Sequence, residues 1–180
     1  MKKLVIWAAV FTMLTISMNS YSDDDHKWKK WLGVSTSDIR PVNNALYKQE
    51  CASCHMAFQP GLLPSASWKL VMNGLSDHFG ENAELNAEDV TAILDYLQEN
   101  AADRSSFGRS AAFARNSNEQ QLRIIESRYF VRKHDEIPQR FIKDERIGSF
   151  SNCVACHVSA EKGIYDEHDV RIPGVGPWED

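Results

Sequence analysis

The chain has 180 residues, a formal charge of −5 and 43% hydrophobic residues. That length suits one ordinary domain or two small ones. The acidic balance argues against a nucleic-acid partner.

The first 22 residues read as a targeting segment. Lys2 and Lys3 precede an apolar run from Leu4 to Ile16, and Ser17 to Ser22 turns small and polar. This order matches a secretory signal peptide, with a cut between Ser22 and Asp23. The apolar run is shorter than the roughly 20 residues that span a bilayer. The rest, residues 23–180, carries 18 basic against 25 acidic residues, a charge of −7. It is expected to be soluble, with no membrane anchor after cleavage.

Next comes a charged arm, Asp23 to Ser37, with Trp28 and Trp31 in it. A helix is expected from Val42 through Ala45, Leu46 and Tyr47 into Cys51. Phe58 to Pro64 (F-Q-P-G-L-L-P) reads as a turn-rich apolar loop, because Pro60-Gly61 and Pro64 interrupt regular structure. Ser65 or Ser67 is placed to cap a helix running to Gly74, with Trp68, Val71 and Leu75 on one face. Asn86 reads as an N-cap, with Glu88 and Asp89 in the first turn. Val90, Ile93, Leu94 and Leu97 come next at helical spacing, up to Asn100. Ala101 to Asn118 reads as a linker with at most short helix. Glu119 to Ser127 has a helical pattern, and Pro138 interrupts the chain beyond it. The tail around P-G-V-G-P-W is irregular. The expected organisation is an N-terminal unit over 23–103 and a loop-rich unit over 104–180.

The four cysteines form two copies of one pattern, C-A-S-C-H at 51–55 and C-V-A-C-H at 153–157. Four cysteines in an exported chain first suggest two disulfides. The histidine after each pair favours c-type haem attachment instead. Two thiols three residues apart reach both vinyl groups of one porphyrin, and the adjacent histidine supplies a nitrogen to the iron. A zinc ribbon uses much closer pairs, and a thioredoxin-like site needs a βαβ setting that is absent here. Cys51 and Cys54 thus bind one haem with His55 on its iron, and Cys153 and Cys156 a second with His157. Small units of this kind bury little apolar surface, so the apo-protein is expected to be largely unfolded.

The first unit runs helix, C-x-x-C-H, proline loop, helix, loop, helix. That order resembles the class I cytochrome c fold over roughly residues 42–100. The fold class is mainly α, with two small haem-centred domains, the second irregular.

The sixth position on each iron decides the function, since Met raises the potential and an open site allows catalysis. Met56 is too close to His55 to reach the opposite face. Met72 lies in an expected helix and is a candidate, though core is the commoner fate of such a residue. His78, in a loop between the attachment motif and the last helix, is favoured for the first iron. His134 and His168 compete for the second. Asp135 and Glu136 lie beside His134, and a carboxylate near a ligating histidine fixes its tautomer. His26, in the acidic arm, is expected at the surface.

The segments C-A-S-C-H-M-A-F-Q-P-G-L-L-P-S-A-S-W, D-H-F-G-E-N-A, R-Y-F-V-R-K-H-D-E-I-P, S-N-C-V-A-C-H and D-V-R-I-P-G occur in this order. Together they resemble the DHC family of periplasmic dihaem cytochromes c, over most of residues 42–174. The resemblance implies two domains and bis-histidine ligation of both irons, by His55 with His78 and by His157 with His134. It implies a periplasmic location, with a small monohaem cytochrome and a membrane b-type cytochrome as redox partners.

The leading function is therefore an electron relay between redox proteins, not an enzyme. The alternative is a dihaem peroxidase or reductase, or a gas-responsive protein, which needs one accessible iron and, for catalysis, acid–base residues near it. Residues Leu70 to Asp103 include eight acidic side chains and no Lys or Arg. That stretch reads either as a solvated helix face or as a docking surface for a redox partner.

Overall fold

Three of the α-helices among the described residues begin at a side-chain cap. The structure, a computed structural model, describes residues 38–118 and 120–178. The targeting segment, the charged arm with Trp28 and Trp31, and His26 lie outside them. The described residues fall within one compact unit, 37–180. The fold is mainly α.

Helix α1 spans Ala45–Cys51, and the Asn44 side chain accepts from Tyr47 N. It starts three residues later than the apolar pattern suggests, because Asn44 supplies the cap. Helix α2 spans Ser65–Asn73. Neither Ser65 nor Ser67 caps it. Pro64 holds the N-cap position, and the Ser65 N–H donates to Asp103 Oδ1 at 2.9 Å. A carboxylate from a distant segment thus satisfies the helix start. Helix α3 spans Ala87–Glu99, and Asn86 accepts from Asp89 N as its sequence implies. Helices α2 and α3 make the most extensive pairing among the described residues. Trp68, Met72, Ile93 and Leu97 meet there with Val42, Tyr47 and Leu63 in one buried cluster.

The segment expected to be a linker is largely structured. Helix α4 spans Gly108–Asn116 and buries Ala111 and Phe113. Phe113 joins Ile39, Leu62, Ala102 and Phe130 in a second cluster. Phe113 suffices to dock this face because the surface it meets is already apolar. The helix expected before Ser127 is reduced to a short 3-10 turn, Ile124–Glu126. Ser127 is itself an N-cap. Its side chain accepts from Phe130 N and starts α5, Arg128–Lys133. A short α6, Gln139–Ile142, begins directly after Pro138.

Beyond α6 the chain is turns, 3-10 helix and one small hairpin. Strands β1 (Arg171–Ile172) and β2 (Gly176–Pro177) pair antiparallel. Ile147, Val170 and Ile172 form a small third cluster. Gly163 has φ 71° and packs so closely that a Cβ would collide with the Ile39 carbonyl. Only glycine fits there. The approach lets Ile39 N donate to Gly163 O at 3.0 Å, joining residues near the start and end of the unit. No helix among the described residues is long and apolar enough to cross a membrane.

Candidate haem sites

Helix α1 ends at Cys51, so the first attachment motif starts from a rigid element. Cys54 and His55 lie on the exposed turn just beyond it. The second motif begins as a 3-10 turn, Cys153–Ala155. His157 N donates to Cys153 O at 2.8 Å, which folds the motif into a single turn. All four thiols are free of disulfides. Burial pushes the Cys51 thiol up to about 11, with Glu50 adding to it. Burial likewise raises Cys153 to about 11 and raises Cys156.

His78 sits on a tight turn. His78 N donates to Glu81 O at 2.7 Å, and Glu81 N to His78 O at 3.3 Å. Between them Phe79 and Gly80 both have positive φ, 59° and 103°. A non-glycine residue in this region costs roughly 1–2 kcal/mol, so the tertiary structure must hold it there. The Arg123 guanidinium lies over the Phe79 ring, 4.0 Å from its centroid, a favourable cation–π contact. The turn aims His78 at His55. Their ring centroids are 6.1 Å apart, with planes inclined at 28°. Phe58 stacks on His55 at 4.9 Å.

His134 caps the C-terminus of α5. Its Nδ1 lies 3.0 Å from the Phe130 carbonyl oxygen, one helical turn back. As a donor there, Nδ1 leaves Nε2 free for a metal. Phe130 also stacks on the imidazole at 3.9 Å. The His134 and His157 centroids are 6.0 Å apart, with planes inclined at 74°. His157 Nδ1 is buried with no hydrogen-bond partner. Burial lowers the pKa of His157 to about 4, reinforced by His134 and Arg109 and opposed by Asp38. Burial also lowers His134 and His78. These imidazoles are held neutral, the form that binds metal.

The residues fit an iron in each place. With a metal–imidazole bond of about 2.0–2.1 Å and about 1.1 Å from nitrogen to ring centre, two imidazoles across one metal have centroids roughly 6.2–6.4 Å apart. Both observed pairs come close to this. His168 lies elsewhere, exposed and bonded through Nδ1 to Asp166 at 2.8 Å. Met72 is buried in the α2–α3 core.

The model of the family described as dihaem cytochrome c, DHC, matches residues 47–165. This chain belongs to the DHC family of dihaem cytochromes c. It carries two haem c groups, on Cys51 with Cys54 and on Cys153 with Cys156. Solved structures similar to it include two dihaem cytochromes c. The dihaem cytochrome c from Shewanella baltica OS155 is 42% identical, with a TM-score of 0.64, over 76% of this chain and 98% of the other. The dihaem cytochrome c from Rhodobacter sphaeroides is 41% identical, with a TM-score of 0.63, over 71% of this chain and all of the other. No curated protein matches the chain.

Several site residues escaped the sequence reading. Phe58 and Phe130 press on the histidines, Phe150 and Tyr165 flank His134 and His157, and Gln59 is fully buried and bonded to Ala160 and Tyr165. A signal existed for two of them. Phe58 stands three residues after His55, and Phe130 stands four before His134, one turn of helix away.

Proposed function

We propose that this member of the family is a periplasmic electron relay whose irons are both closed by two histidines, His55 with His78 and His157 with His134. The observation that carries the reading is the separation of the two imidazole pairs, 6.1 and 6.0 Å. Each spacing suits one bound iron and leaves no room for substrate between the rings. The haem irons supply one-electron chemistry, alternating between ferric and ferrous forms.

The chain's own residues hold that chemistry still. Phe58 and Phe130 pack on the imidazoles, and the Phe130 carbonyl orients His134. Burial keeps His78, His134 and His157 neutral. With histidine in place of methionine, the potentials fall below those of Met/His cytochromes. The targeting pattern of residues 1–22 supports export to the periplasm. The acidic stretch Leu70–Asp103 serves as a docking face for a more basic partner, such as a small monohaem cytochrome. A membrane b-type cytochrome is the second proposed partner.

The test is an optical and EPR spectrum of the oxidised holoprotein, then reduction under carbon monoxide. Two low-spin haems, without a methionine–iron band and without a carbon monoxide shift, are expected. A high-spin haem or a clear shift would instead mean an accessible iron, and a peroxidase, reductase or sensor.

A further inference from the structure

We propose that Arg123 is a positioning residue for the first iron, latching the strained turn that carries His78 and so setting how often that imidazole releases the metal, an inference that rests on the His55–His78 reading above. The turn has little to hold it by itself. Two backbone hydrogen bonds between His78 and Glu81 close it, and Asp77 Oδ1 accepts from Gly80 N at 3.0 Å. Against them stands the left-handed conformation of Phe79, at φ 59°, which a residue with a Cβ resists. Opening the turn relieves that strain and carries His78 away from His55.

The restraint comes from a segment well beyond α3. Arg123 places its guanidinium 4.0 Å from the Phe79 ring centroid. It brings a cation to a stretch that lacks one. Leu70 to Asp103 contains no Lys or Arg, and Asp77, Glu81 and Glu84 flank the turn. The segment that presents Arg123 is itself fixed. Gln121 is buried, and its Nε2 donates to the Arg123 carbonyl at 2.7 Å. Ile124 packs against both of the larger buried clusters. Leu122 lines the same cleft as Leu70, Val71 and His78. Glu126 adds little, since its carboxylate is 3.8 Å from Arg123 and both side chains are exposed, a setting in which ion pairs are weak. The hold therefore acts through the ring, by a cation over an aromatic face. The proposed sixth ligand of the first iron is thus kept in place by a residue outside the helices that frame the rest of that site.

The experiment uses the dihaem holoprotein. Excess cyanide is added to the oxidised form, and the rate at which it displaces His78 is followed optically, with EPR showing which low-spin signal is converted. The variants are Arg123→Gln, Arg123→Lys, Phe79→Leu, the Arg123→Gln, Phe79→Leu double variant, and Glu126→Gln. Phe79→Leu keeps a Cβ, and with it the backbone strain, while removing the ring. NMR exchange of the His78 N–H, measured in the reduced protein, reads turn opening with no added ligand. Phe79 is 43% exposed and the Arg123 side chain 43%, so the contact is of the weaker, solvated kind. Arg123→Gln and Phe79→Leu are each expected to speed both displacement and exchange about two- to fivefold. The double variant should be no faster than either, and Arg123→Lys and Glu126→Gln should stay near the starting rates. Unchanged rates in Arg123→Gln overturn the latch. A full further acceleration in the double variant also overturns it, because the guanidinium would then act on the haem and not through Phe79. So does equal acceleration by Glu126→Gln, since the whole segment and not the ring contact would be responsible. A high-spin first haem in the starting protein would sink the bis-histidine reading, and the latch with it.

Discussion

Around Cys51–His55, three helices pack a core that includes Trp68, Met72, Ile93 and Leu97. Around Cys153–His157 the nearest buried cluster is Ile147, Val170 and Ile172, supported by turns and a two-residue hairpin. The histidine pairs differ too. The first is nearly parallel and stands on an exposed turn; the second is nearly perpendicular, more deeply buried, and braced by a helical carbonyl. One site is thus a group added to a core, whereas the other takes much of its core from the group. Four experiments probe that difference.

Removing one haem has the largest effect. Cys153→Ala with Cys156→Ala is expected to abolish amide protection across residues 139–178, while α2 and α3 stay protected in hydrogen exchange. Equal loss in both regions would mean that the two sites fold as one unit. Full apo-protein is expected to lose both, as small metal-dependent folds do.

Removing one proposed distal ligand comes next. His78→Ala and His134→Ala should each turn one haem high-spin and leave the other low-spin in optical and EPR spectra. A wholly low-spin His134→Ala protein would return His168 to consideration. Because the second pair is more buried, His134→Ala is expected to destabilise the protein more in denaturant titration.

The ring angles give a finer distinction. Parallel imidazoles donate π density along one direction and separate the iron dxz and dyz orbitals. Perpendicular ones leave them nearly degenerate. With planes at 28° and 74°, the oxidised protein should show two low-spin EPR signals. The more anisotropic one should vanish in His134→Ala. A single signal type for both haems would contradict this.

The smallest effects are at the caps. Asn86→Ala and Ser127→Ala each remove a side chain that accepts from a helix-start N–H, a loss of about 1 kcal/mol each. Chemical denaturation should record similar losses. Only Ser127→Ala, which starts the helix leading to His134, should also shift the potential of a haem, the second one.

Much of this was legible in sequence because it is local. A C-x-x-C-H turn needs only five residues. The Asn86 cap and the spacing of Ile93 and Leu97 lie within one helix. Where elements depend on distant partners, sequence reading went astray. Asp103 satisfies the start of α2 from beyond α3. Helix α4 looked like a linker because its few apolar residues matter only against Ile39, Leu62 and Phe130. The helical pattern before Ser127 yielded to a cap whose strength depends on the buried Phe130 three residues on.

The sequence by itself pointed to the cofactor, its attachment cysteines and one candidate histidine for each iron, since covalent attachment requires those residues at that spacing. It also named His78, and His134 with His168 as rivals. Only the tertiary structure decided which imidazoles face each other. Ring separation and angle depend on a strained turn at Phe79 and on the end of α5, positions set by packing across the whole unit. The Gln59–Tyr165 contact belongs to the same class. A glutamine and a tyrosine a hundred residues apart carry no signal until burial leaves each as the other's hydrogen-bond partner.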